Sequence, residues 1–133
     1  MTGSTGSPRG VPARPDLPVD VQGLAAVDLV GAQLQDWLFE RDAFSWTLLV
    51  GDAERGHELV AITYVGAVVL HANRCDLDAA VADAAEVARS EVGPAEEGGY
   101  EHHVTVRAAY RLVVRFWSVD VRRMPAPDHL RRP

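Results

Sequence analysis

The sequence predicts an α+β fold, a two-layer sandwich in which two helices cover one face of a mainly antiparallel or mixed sheet of three to five strands. Three observations carry this. Two segments, starting near Asp20 and Asp76, repeat apolar residues at spacings of three and four. Two others, 43–50 and 104–116, alternate apolar and polar residues as half-buried strands do. And 133 residues, 47% hydrophobic and 24% charged, are enough for one core without disulfides or metal.

The elements follow in the order helix, strand, strand, helix, strand. The first helix starts at Asp20 as N-cap and carries Leu24, Val27, Val30, Leu34, Trp37 and Leu38 on one stripe, about 20 residues weakened by Gly23 and Gly31. "AFSWTLLV" then sets Phe44, Trp46, Leu48 and Val50 on one strand face, with Ser45 and Thr47 on the other. "ELVAITYVGAVVLH" is apolar at both parities, as in a strand or strand pair covered on both faces, and Gly66 marks a bulge or break. The second helix runs from an Asp76 cap to the Gly93-Pro94 stop.

In "VTVRAAYRLVVRF", 104–116, every even position is apolar, which favours one long strand over a helix. A two-residue hairpin loop inside it would shift the phase, and the phase does not shift. It flips only after Phe116, where Trp117, Val119 and Val121 become the apolar set, so the last strand is expected to be bulged or bent near residue 117. This helix-and-strand order in a small acidic chain resembles bacterial secretion-chaperone-like dimers in topology alone, and the resemblance implies no site residue.

Residues 1–19 hold four of the eight prolines in a Gly/Ser/Thr-rich setting, and are expected as a flexible tail; 20–123 form the single folded domain, and 124–133 a second flexible, basic tail. One cysteine, Cys75, allows no internal disulfide. No apolar leader or 18-residue apolar run is present, so the expected setting is the cytoplasm, with no membrane contact.

All 13 basic residues are arginine, a compositional skew that weakens any case for arginine chosen for its forked geometry. Residues 21–121 set 7 arginines against 16 acids, while 122–133 set four against Asp128. So acidic a body disfavours nucleic acid as a partner.

No nucleotide-binding, nucleophile-elbow or metalloprotease motif occurs. Arg107, Arg111 and Arg115 form a row roughly 13 Å apart along the expected strand, too far apart to grip one phosphate but suited to an extended partner surface. His102 and His103 point to opposite strand faces and do not share a metal. Cys75 lies at a helix start but beside Asp76 and Asp78, which oppose a thiolate. Glu96, Glu97 and Glu101 lie in or beside a Gly-rich connection, and the three tryptophans suit sheet–helix or subunit contacts.

The function expected is a non-enzymatic interaction or accessory domain, without cofactor or metal. The expected partner is a second copy, bound through the apolar open sheet face, with another protein as a further candidate, and Arg107, Arg111, Arg115, His103 and Trp117 are the candidate contact residues. The alternative is a small-molecule binder or minor enzyme holding an anionic ligand on that face, Arg111 or Arg107 gripping the anion and a histidine acting as base.

Overall fold

A computed structural model describes residues 17–52, 56–71, 74–107 and 110–126. Ten elements follow in order: α1 (Val19–Ala25), β1 (Gln33–Glu40), β2 (Ala43–Asp52), β3 (Gly56–Val65), β4 (Val68–His71), α2 (Arg74–Ala82), β5 (Val87–Pro94), β6 (Tyr100–Val106), β7 (Tyr110–Phe116) and β8 (Ser118–Pro125). They build two four-stranded antiparallel sheets, ordered β1-β2-β3-β8 and β4-β7-β6-β5. The expected α+β layering of two helices on one sheet is therefore overturned, and with it the topological resemblance to secretion-chaperone-like dimers. A second sheet covers the first.

Both expected helices shrink to two or three turns at most, and each gives way to a strand. In β1 a register shift between Leu34 and Asp36 inserts one extra residue. Such a bulge turns the inward spacing of two into three, so Leu34 and Trp37 mimic a helical stripe while lying on a strand. The same shift between Val87 and Arg89 in β5 moves the next inward residue to Ser90. Gly31, at φ +88, and Ala84, at φ +48, lie between helix and strand in the two segments. Asp20 is no cap, since it lies inside α1 and accepts a hydrogen bond from the backbone N–H of Val119 at 2.9 Å. Asp76 likewise falls in the first turn of α2 rather than ahead of it.

The run 104–116 is a hairpin rather than one strand. Val106 stands directly opposite Tyr110, so the loop holds three residues. An odd loop preserves parity where a two-residue loop would not, and the alternation passes through the turn unbroken. Arg107 consequently sits in the turn, out of line with Arg111 and Arg115.

At Gly66, φ +67, the chain leaves the first sheet for the second. At Trp117 it returns, which is the meaning of the phase flip after Phe116. A further seam joins the sheets where Leu34 N–H donates to Ala85 O at 3.0 Å and Val87 N–H to Ala32 O at 2.9 Å.

The core lies between the sheets. Phe44, Trp46, Leu48, Val60, Ile62 and Tyr64 face Val104, Val106, Leu112, Val114 and Phe116, all nearly inaccessible to solvent. Val21 and Leu24 of α1 close the core beside β8 and β5, and Leu77 and Ala80 of α2 close it beside β1. Leu17 and Ala126 are buried as well, so the packed unit reaches into both expected tails, of which residues 1–16 and 127–133 lie outside the described ones.

Candidate functional site

Four polar side chains meet inside this apolar core. Alternation along β2 and β3 aims Trp46 and Tyr64 inward as diagonal neighbours, since Trp46 pairs with Ile62. Alternation along β6 aims His102 inward with Val104 and Val106, and the bulge in β5 brings Ser90 to the same side. Trp46 Nε1–H donates to Tyr64 Oη at 3.0 Å. Tyr64 Oη lies 2.7 Å from Nδ1 of His102, and Nε2 of His102 lies 2.7 Å from Ser90 Oγ.

The direction of this chain follows from its donor inventory. Indole N–H only donates, so Tyr64 Oη is an acceptor on that side. Among the described residues its own proton has one partner within reach, Nδ1 of His102, and leaving it unpaired in a fully buried site would cost about 1–3 kcal/mol. His102 therefore accepts at Nδ1, carries its proton on Nε2 and donates to Ser90. Burial supports the same assignment: it pushes the Tyr64 phenol up and the His102 imidazole down to about 3, with the nearby His103 adding to the latter. Every member stays neutral at physiological pH.

A serine beside a histidine suggests nucleophilic catalysis, and here the wiring forbids it. An activated serine needs an acceptor nitrogen facing its hydroxyl. The nitrogen facing Ser90 is a donor. The relay instead fastens one sheet to the other and leaves the Ser90 hydroxyl proton to be given outward.

Outward from Ser90 is a cleft of about 570 Å³ between α1, the loop after it and β5. Leu17, Leu24, Val27, Leu29 and Val92 make it mostly apolar, while Asp28 and Glu91 stand with Ser90 as its polar groups. Its size lies within the range of small-molecule sites.

The residues singled out from sequence lie elsewhere. On the outer face of the second sheet Arg115 bonds Glu101 through Nε and Nη2 at 3.3 and 3.2 Å and Glu97 through Nη1 at 3.3 Å. His103 Nε2 bonds the other oxygen of Glu101 at 2.9 Å. The hydrogen bond with His103 holds the Glu101 carboxyl below its ordinary range against the opposing effect of burial, and those from Arg115 add to the lowering. Arg111 is exposed opposite Thr105, beside a crevice of only about 10 Å³. Arg107 faces Glu86 at 3.4 Å. Trp117 is 65% exposed at the crossing between sheets. Glu101 thus joins Arg115 to His103, but the five candidates do not converge on one cavity.

Of the other tryptophans, Trp46 is the core residue of the relay and Trp37 donates Nε1–H to Asp78 of α2 at 2.9 Å. Cys75 is exposed. Among the described residues no group of three His, Cys, Asp or Glu side chains is placed to hold a metal, and no helix is long and apolar enough to cross a membrane. Comparison with protein families, curated proteins and solved structures finds no match to this chain.

Proposed function

We propose that this chain is a non-enzymatic cytoplasmic binding domain that holds a small, neutral, largely apolar molecule bearing one hydrogen-bond acceptor in the cleft at Ser90. The observation that carries this reading is that Ser90, the last member of the relay and the acceptor from His102 in the tautomer argued above, lines a mostly apolar cleft. A carbonyl or ether oxygen is the matching group. Asp28 and Glu91 among the lining residues oppose an anion, so the ligand chemistry moves from the anionic class expected beside Arg111 to a neutral one.

Titration of the full chain with a neutral solvatochromic naphthyl ketone tests it. Saturable binding with a blue-shifted emission is expected. Ser90→Ala should weaken it about fivefold, the equivalent of one hydrogen bond near 1 kcal/mol. Ala26→Phe, at a cleft-lining position outside the relay, should abolish it by filling the space. Binding indifferent to both substitutions, in variants that remain folded, would refute the reading.

A second reading, an interaction domain acting as a homodimer, keeps support from one observation. Leu38 and Phe39 are 57% and 40% exposed on β1, an edge strand with backbone groups available for pairing.

A further inference from the structure

We propose that the Ser90 cleft receives an extended peptide as an added strand on the outer edge of β5, with an internal, apolar residue of that peptide filling the cleft. This role rests on the cleft's being a site for a neutral, largely apolar group with a hydrogen-bond acceptor, and it names the class of molecule that carries the group.

Strand β5 ends the order β4-β7-β6-β5, so β6 occupies only one of its two edges. The chain itself shows that the other edge takes a strand. Gly31 N–H donates to Val87 O at 2.8 Å and Val87 N–H to Ala32 O at 2.9 Å, with Gln33 and Glu86 paired antiparallel beside them. This added strand is short. Ahead of Gly31, φ +88, the chain leaves that edge, and from 88 to 94 no backbone group on it has a partner among the described residues.

The cleft opens where the added strand stops. One wall is the segment 24–30 that leads into Gly31, and the other is Ser90, Glu91 and Val92 of β5. Successive strand residues point their side chains to opposite faces, so a cavity bordered by three in succession lies along the strand's edge and not on one face. Alternate residues turn both N–H and C=O to that edge, so at least one of the three presents a donor and an acceptor to the cleft. Such an edge is a template for a further strand.

A peptide matches both parts of this wall. Its backbone pairs with β5 while one side chain lies among Leu24, Val27 and Leu29. The charges select the segment. Asp28 and Glu91 repel a terminal carboxylate, so the bound stretch is internal and free of acidic residues.

The test uses the full chain, the naphthyl ketone and the peptide acetyl-Lys-Val-Leu-Val-Lys-amide, with amide exchange in β5 followed by NMR. Saturable peptide binding is expected, with exchange slowed at least about tenfold at the edge-facing amides among Ser90, Glu91 and Val92. Ala26→Phe should abolish it. N-methylation of the three central peptide residues in turn should alternate, costing at least about tenfold in affinity where the amide faces β5 and little where it does not. Ketone binding without peptide binding would overturn this proposal and leave the cleft reading standing, whereas loss of both would refute both. Equal sensitivity to methylation at all three positions would overturn it, because no strand is then formed. Edge amides protected without peptide would overturn it in favour of a second copy if protection rises with protein concentration. They would overturn it in favour of the chain's own N-terminal segment if protection is lost on removal of residues 1–16.

Discussion

His102 is the residue on which the two sheets agree. It is 1% exposed in a core of aliphatic and aromatic side chains, and both ring nitrogens are satisfied, one from each sheet. Its folded value of about 3 lies below the ordinary 6.5. As pH falls the unfolded chain binds the proton first, so this contribution to stability is whole above about pH 6.5. It is lost progressively on the way down towards pH 3, at up to about 1.4 kcal/mol per unit. Urea midpoints between pH 7 and pH 5 should fall accordingly, and His102→Gln should flatten that part of the profile. A midpoint that rises on acidification would contradict the neutral, buried assignment. Much of this was legible in sequence. The alternation that separates His102 from His103 also places His102 on the face of Val104 and Val106, hence inward. Its partners were not, because Tyr64 lies 38 residues away and Ser90 was concealed in a segment with helical spacing.

Elements failed to declare themselves where one extra residue changed the period. A strand with a bulge between Leu34 and Asp36 spaces its inward residues by three, and so does a helix, so periodicity over a short window does not separate them. β2 carries no bulge and its strand character was plain, with Phe44, Trp46 and Leu48 all buried. The helix-to-strand joints are set by backbone conformation and can be tested there. Ala84 adopts φ +48, where a Cβ is costly, so Ala84→Gly should stabilise the chain by about 0.5–1 kcal/mol. Gly31 adopts φ +88 with open space around it, so Gly31→Ala should destabilise by about 1–2 kcal/mol through strain alone. Thermal or urea unfolding giving both substitutions the same sign would exclude this account of the two joints.

At the scale of the whole molecule, the face that called for a partner subunit, with Ser45, Thr47, Leu59 and Ala61, stays half-buried, but the large apolar side chains on the opposite, even-numbered face are already covered by the second sheet within the chain. Size-exclusion chromatography with light scattering is accordingly expected to give a 14.4 kDa monomer at micromolar concentration, in both low and high salt. A salt-resistant dimer would favour the second reading, and Leu38→Glu with Phe39→Glu should then dissociate it. Side-chain pattern alone was enough for the strand character of 43–50, the break at Gly66, the reversal of phase at Trp117 and the inward side of the strands within 43–50 and 104–116. These are local facts, fixed by side-chain alternation and by backbone conformations that glycine tolerates. That two sheets, rather than a sheet and two helices, close the core, and that Trp46, Tyr64, His102 and Ser90 join across it, was set by packing between distant segments. Which apolar faces cover one another depends on contacts between segments far apart in the chain, and short-range spacing carries no record of those contacts.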